Sequence, residues 1–303
     1  MHRAEASEGL DPALVPEGPR GDDAARAFAL THGLRVMGGR PRLRTYVTDL
    51  LRSRSFVWEL ARGVAYTRNQ DNRLGQLWLV INPLLSVGAY FLVFGLLLQT
   101  DRGIDNYVAF LTVGVFIFAF VSDTITVGSR SILRNQGMIR ALRFPRAALP
   151  LSATLTELLL LLPAMAVLLV ILLLTGEPLR WTWLLIVPAM VLLLAFCSGL
   201  ALVMARVVST SRDLANLVPV IMRIARYVSG VFFSVGHYGG DGLVGAVLQY
   251  QPIALFLDLV RSCLMVEVPI EPLHWAAAAG YAVVTPVVGF VYFWRGEGRY
   301  GRG

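Results

Sequence analysis

AALPLSATLTELLLLLPAMAVLLVILLLT, residues 147–175, holds a single ionisable side chain, Glu157, and decides the class of the fold. As a helix rising about 1.5 Å per residue it exceeds the roughly 30 Å hydrocarbon thickness of a bilayer. Inside lipid a backbone must satisfy its own hydrogen bonds, so an apolar run of this length is read as a membrane-spanning helix. Five other stretches have the same character: residues 77–98, 107–127, 183–205, 214–235 and 275–294. The expected fold is an all-α integral membrane protein with six transmembrane helices.

The arginines orient these spans. Twelve precede the first, from Arg3 to Arg73, and Arg130, Arg134, Arg140, Arg143 and Arg146 fill the second loop with no acid among them. The first, third and fifth loops hold only Arg102, Arg180 and Arg261, mixed with Asp101, Asp105, Glu177, Asp241, Asp258, Glu267 and Glu271. The positive-inside rule makes the Arg-rich loops cytoplasmic. Because Arg295, Arg299 and Arg302 follow the last span, both termini are expected in the cytoplasm.

With 303 residues, 56% of them hydrophobic, and a mean hydropathy of +0.62, the chain accommodates one membrane domain and no soluble catalytic domain. A net charge of +7 beside apolar spans suits anionic headgroups better than nucleic acid. All 27 basic residues are arginine. A phosphate-binding P-loop needs its lysine, so ATP, if used, must be bound with its Mg²⁺ by a separate chain. Lysine-based covalent catalysis is excluded likewise. Cys197 and Cys263 suggest no disulfide framework, and His2, His32, His237 and His274 lack metal-ligand spacing. No catalytic cluster stands out.

Residues 1–45 are rich in Pro, Gly, Asp and Arg and are expected to form a disordered cytoplasmic tail. Over 46–74, Phe56, Val57, Leu60, Ala61 and Val64 recur on one helical face, with Arg54, Glu59 and Arg62 on others. This is an amphipathic helix, and its place just before a span favours the membrane interface over open solvent. Residues 75–303 form the membrane domain. Within it, residues 129–143 read as a short Arg-rich helix. Between the fifth and sixth spans, segment 236–273 contains two apolar pieces, 243–248 and 253–264, both too short to cross. They are expected to form a re-entrant pair, with a folded outer cap as the alternative.

Several short motifs point to a family. Tyr66, Arg68, Arg73-Leu74-Gly75, Leu77-Trp78, Asn82-Pro83-Leu84, Tyr90 and Val93-Phe94 lead into and along the first span. They are followed by Asn135, Phe144-Pro145-Arg146, Leu149-Pro150, Arg212-Asp213, Ser229-Gly230-Val231-Phe232-Phe233, and Gln251-Pro252 with Arg261. In this order and spacing, over residues 56–294, the chain resembles the Wzm/TagG-type permeases, the membrane subunits of ABC exporters for O-antigen, teichoic acid and related lipid-linked glycans. The basic string that commonly precedes the Leu-Gly motif is Thr67-Arg68-Asn69-Gln70-Asp71-Asn72-Arg73 here, and Arg223 and Arg226 stand in the fifth span. With the lysine-free composition, these departures are similar to the actinobacterial galactan-exporting branch.

The resemblance implies a homodimer in the bacterial inner membrane, two ATP-binding cassette subunits beneath it, and a polyprenyl-pyrophosphate-linked glycan as cargo. It makes the interfacial helix and the second loop coupling elements, with Arg68, Arg73, Arg130, Arg134, Arg140 and Arg143 facing the ATPase. The segment carrying Gln251, Pro252, Asp258 and Arg261 becomes an outer gate.

A glycan channel needs apolar ring faces. Tyr90 and Phe94, and Phe116 and Phe120, each lie four apart on one helical face, although such pairs in membrane helices more often pack against neighbouring helices. Asp123 is close enough to the cytoplasmic end of its span to reach water unaided. Arg223 and Arg226 share a face of the fifth span near mid-depth, where an unpaired charge costs about 2.5–3.5 kcal/mol. Glu157 lies at a similar depth, so it is expected to pair with one arginine while the other borders the channel, or all three form a structural cluster. The competing functions are a drug- or lipid-exporting permease, a polytopic transferase, which would need clustered Asp, Glu or His, and an ion-coupled carrier, which would show an internal repeat.

Overall fold

A computed structural model describes residues 42–68, 75–98, 104–234 and 243–300, together with Thr31. The chain divides into two units, Met1–Arg40 and Pro41–Gly303. In the first only Thr31 is described. The expected tail, 1–45, otherwise lies outside the described residues up to Pro41; Arg42 is described and 43–45 open a helix.

All described elements are helical. Helices α1 (Leu43–Arg52) and α2 (Arg54–Thr67) form where one amphipathic helix was expected. They part at Ser53, whose hydroxyl and N–H both donate to the Asp49 carbonyl, diverting the backbone at the junction. Helix α3 (Trp78–Tyr90) continues through a π-helical stretch, Phe91–Leu97. Next come α4 (Tyr107–Ser129), the short α5 (Ser131–Arg134) and α6 (Gln136–Ala141), and α7 (Ala148–Leu174). The expected helix over 129–143 is interrupted at Asn135, whose amide donates to the Ser131 carbonyl at 2.7 Å. A 3₁₀ turn, Trp181–Leu185, leads into α8 (Ile186–Thr210), followed by α9 (Leu214–Val228), α10 (Leu243–Tyr250), α11 (Pro252–Leu264) and α12 (Pro272–Trp294).

Five helical stretches among the described residues are long and apolar enough to cross a membrane: Trp78–Leu97, Tyr107–Ser129, Ala148–Leu174, Trp181–Thr210 and Pro272–Trp294. They match five of the six expected spans to within a few residues. The sixth, 214–235, differs. Its helix α9 has 15 residues, about 22 Å, and ends before Gly230, whose φ of 69° turns the chain. Arg223, Arg226 and the internal Pro219 lower its apolarity and interrupt its backbone bonding. The segment nevertheless lies beside α4 at both ends. Arg130 Nη2 donates to the Ala215 carbonyl at 2.8 Å, and the Tyr107 hydroxyl donates to the Phe232 carbonyl at 2.9 Å.

Helix α4 is the centre of the domain. Of its most apolar stretch 78% is buried, against 11% for Trp78–Leu97, so α3 presents most of its surface outward. Phe116, Phe118, Phe196, Phe256, Leu168 and Leu172 form the centre of the main core. Helices α8 and α12 meet backbone to backbone: a Cβ on Gly289 would stand 2.3 Å from the Gly199 carbonyl oxygen. Small residues permit this close approach, which in lipid supplies packing that the hydrophobic effect cannot.

The two ends of the bundle differ chemically. At one, Asn106, Thr175, Glu177, Val266 and Glu267 are joined by hydrogen bonds. At the other, Tyr46, Arg146, Ala147 and Glu297 meet.

Candidate functional site

A cavity of about 280 Å³ opens beside α4. The face of α3 bearing Trp78, Asn82 and Ser86 forms one wall, and that of α4 bearing Phe116, Ala119, Phe120 and Asp123 forms another. Helix α7 contributes Glu157, Leu160, Leu161 and Ala164; Arg68 and Arg226 complete it. On α4 the spacing 116, 119, 120, 123 is one helical stripe, so two phenyl rings and a carboxylate point into the same space. Ala119, the small member of the stripe, leaves room between them.

The ionic partners differ from those expected. Glu157, 5% exposed, takes Arg68 instead of Arg223 or Arg226: Arg68 Nη1 lies 2.6 and 2.7 Å from its two oxygens. Arg68 is the residue after α2, and α2 packs along α7, with Thr156 Oγ1 donating to the Ala61 carbonyl at 3.3 Å. That packing delivers the guanidinium to Glu157 from the bundle's edge. Arg226 donates through Nη1 to the Tyr90 hydroxyl at 2.7 Å and sits over the Phe118 ring, 5.2 Å from its centroid. A cation over a ring face recovers part of what it loses on leaving water. Arg223, three residues earlier, is exposed and is not part of the cavity lining.

Of the expected channel residues, Phe116, Phe120, Glu157 and Arg226 therefore line one cavity, and Tyr90 borders it through Arg226. Phe94 stacks on Phe232, centroids 4.3 Å apart and planes 6° from parallel, and Arg223 lies away from it. Asp123, read from sequence as needing no explanation, is in the cavity wall with neither a hydrogen bond nor an ion pair among the described residues.

Arg261, from the segment expected as an outer gate, is 1% exposed. Its guanidinium pairs with Asp258 at 3.1 Å, donates to the carbonyls of Gly230 and Val231 at 2.9 and 3.1 Å, and lies over Phe110 at 3.4 Å from the ring centroid. Gln251 donates to the Val228 carbonyl at 2.8 Å, and Pro252 opens α11, where a missing N–H costs nothing. These residues tie α11 to the turn after α9 and to α4.

Among the arginines assigned to coupling, Arg73 lies outside the described residues. Arg130 holds the start of α9, and Arg134, Arg140 and Arg143 are exposed at the Arg146 end. There the sequence reading missed a junction. Glu297, following α12, accepts from the Tyr46 hydroxyl at 2.8 Å and from the Arg146 N–H at 3.2 Å, while Arg146 also donates to the Glu297 carbonyl and Tyr46 accepts from the Ala147 N–H at 3.0 Å. Burial pushes the Glu297 carboxyl above its ordinary range despite Tyr46 and Arg146, and raises the Tyr46 phenol strongly. No spacing rule links residues 46, 146 and 297, so only the fold reveals them. Among the described residues, no group of three or more His, Cys, Asp or Glu side chains is placed to hold a metal ion.

The family model described as ABC-2 type transporter matches residues 56–265, from α2 to the end of α11, and includes every residue of the cavity. The O-antigen export system permease protein RfbA of Klebsiella pneumoniae is 27% identical over 202 residues, covering 65% of this chain and 75% of that protein. Its Myxococcus xanthus namesake is 23% identical over 207 residues, 68% of this chain and 79% of the relative.

Proposed function

The chain belongs to the ABC-2 type transporter family, and from that premise we propose that it is the permease subunit of an ATP-driven polysaccharide exporter. The cargo is a lipid-linked glycan of O-antigen, teichoic-acid or galactan type, moved from the cytoplasm to the outer side of the inner membrane. The observation that carries this reading is the cavity: aromatic rings and ionisable side chains share one space among membrane-spanning helices, in a chain whose relatives are named for O-antigen export. Ionisable groups at that depth are costly and are kept where they face a pathway or a partner.

We read six crossings from how the ends are joined. Helix α8 finishes where α12 does, since Arg206 near its end donates to the Tyr292 carbonyl and lies over the Tyr292 ring. Antiparallel to α7, α12 finishes where α7 begins, at the Arg146–Glu297 junction. The chain must therefore return to the opposite end between α8 and α12. The run from Ala215, beside Arg130, to Phe232, beside Tyr107, supplies that return. Arg223 supports a second copy: it is exposed on α9 beside the exposed Val220 and Tyr227, a face that lipid alone would cover at high cost. Two such faces, with the outward-turned α3, enclose the channel. ATP binding and hydrolysis belong to two partner subunits docked at the end that carries Arg134, Arg140 and Arg143, and α10 and α11 form the re-entrant gate at the other.

Depletion in the native cell tests the reading. A lipid-linked glycan should accumulate on the cytoplasmic face and identify the cargo. Accumulation of an unglycosylated lipid or a drug instead would move the protein to another branch of the same family, and catalytic turnover of a lipid carrier by the purified chain alone would make it a transferase.

A further inference from the structure

We propose that the cavity beside α4 binds one neutral sugar ring of the exported glycan, with Asp123 accepting hydrogen bonds from its hydroxyls and Arg226 donating to them. The inference deepens the permease reading and rests on it.

Charge selects among the parts of a lipid-linked glycan. Two cations, Arg68 and Arg226, and two anions, Asp123 and Glu157, line the cavity. Arg68 and Glu157 close on each other, with both carboxylate oxygens within 2.7 Å of one nitrogen. Asp123 has no hydrogen bond or ion pair among the described residues, and Arg226 spends one nitrogen on Tyr90. The remaining pair sums to zero. A pyrophosphate would bring its own negative charge beside Asp123, which repels it. A polyprenyl chain would leave Asp123 and the remaining Arg226 donors desolvated with no acceptor or donor in return. A neutral polyhydroxylated ring suits both, because each hydroxyl donates and accepts.

Shape agrees. A pyranose has a hydroxyl rim and flatter C–H faces. Among the aromatic rings of the lining it is the half-buried Trp78 that can offer a face, since Phe116 and Phe120 are 1% and 3% exposed, and Ala119 provides clearance. The volume, about 280 Å³, lies at the lower edge of small-molecule pockets, which suits one ring and not an oligosaccharide.

The test uses the full chain in lipid nanodiscs, with tryptophan fluorescence as readout because Trp78 lines the cavity. Free hexoses (galactose, glucose, mannose, rhamnose) and inorganic pyrophosphate are titrated separately. At least one hexose should give a saturable change that pyrophosphate does not. Asp123→Asn, nearly isosteric and at a position with no hydrogen bond or ion pair among the described residues, should weaken that binding by about tenfold or more, as expected for losing a charged acceptor. Ala119→Leu, which fills the cavity, should abolish it, and both variants should keep the parent's melting temperature. Saturable binding of pyrophosphate without hexose, no hexose binding at all, or hexose binding unaffected by either variant overturns the proposal. If hexoses fail to bind yet depletion accumulates a lipid-linked glycan, the site assignment falls and the permease reading stands. If hexoses bind in an Asp123-dependent way but no glycan accumulates on depletion, the reverse holds.

Discussion

Arg68, the residue immediately after α2, holds both oxygens of Glu157, a carboxylate buried within α7, at 2.6 and 2.7 Å. One ion pair thus joins the amphipathic segment to a membrane-spanning helix at the wall of the cavity. The pair is asymmetric, with side-chain exposures of 35% for Arg68 and 5% for Glu157. Removing the arginine strands a buried charge. Arg68→Ala should destabilise the protein by about 1–3 kcal/mol, less than a fully buried pair would lose because solvent screens the guanidinium. Arg68→Leu combined with Glu157→Leu should recover much of that loss. Thermal melts of both single variants and the double variant in detergent give the coupling directly, and simple additivity would contradict it.

Gly114 is required by the same logic of close approach. A Cβ there would stand 2.5 Å from Arg261 Nη2 and 2.9 Å from the Val231 carbonyl oxygen. Gly114→Ala should force Arg261 off the Gly230 and Val231 carbonyls and cost about 1–3 kcal/mol, as overpacked cores do. The measurement is again a melting shift. Gly137→Ala, where a Cβ meets nothing within 4 Å, is the control and should leave stability unchanged or slightly improved.

The junction of Tyr46, Arg146 and Glu297 should make stability depend on pH. Burial raises the Glu297 carboxyl above its reference of 4.5, so the folded state favours the neutral acid. A group raised on folding contributes fully below its unfolded value and loses that contribution as pH climbs through the folded one. Glu297→Gln, which cannot ionise, should therefore gain in melting temperature relative to the parent as pH rises from about 4.5 toward neutrality. A difference that is flat with pH, or that runs the other way, would show that Tyr46 and Arg146 outweigh burial.

Five spans were legible in the sequence because each stays strongly apolar over 20 residues or more despite single residues such as Glu157 or Pro163, and helix boundaries follow from where that apolarity ends. Segment 214–235 forms a shorter helix than its apolar run suggests, because Pro219, Arg223 and Arg226 break that apolarity and Gly230 turns the chain. Phe116 and Phe120 could be placed on one face by counting. That Asp123 completes their stripe was equally countable, but its position near a span end supplied a sufficient explanation and hid it. Glu157 pairs with a cation other than the two expected. Depth arithmetic offered Arg223 and Arg226, whereas the actual partner comes from outside the spans, through the packing of α2 on α7, which no spacing in the chain encodes.

Topology can be read with thiol labelling, because Cys197 and Cys263 are both buried and leave little background. Asp105 lies at the acidic end of the bundle, where its backbone N–H donates to Glu267 at 2.9 Å and its side chain makes no hydrogen bond or ion pair among the described residues, so a cysteine there keeps that contact. Arg295 is exposed just beyond α12, two residues before Glu297, and Arg140 is exposed on α6. The arginine partition puts the Arg140 and Arg295 end in the cytoplasm and Asp105 outside. An impermeant maleimide should modify Asp105→Cys in intact cells, and Arg140→Cys and Arg295→Cys only once the membrane is opened. The relation between the last two tests the crossing at α9. If the chain turned back after Arg226 without crossing, they would label from opposite faces, and Arg146 and Glu297 could not meet.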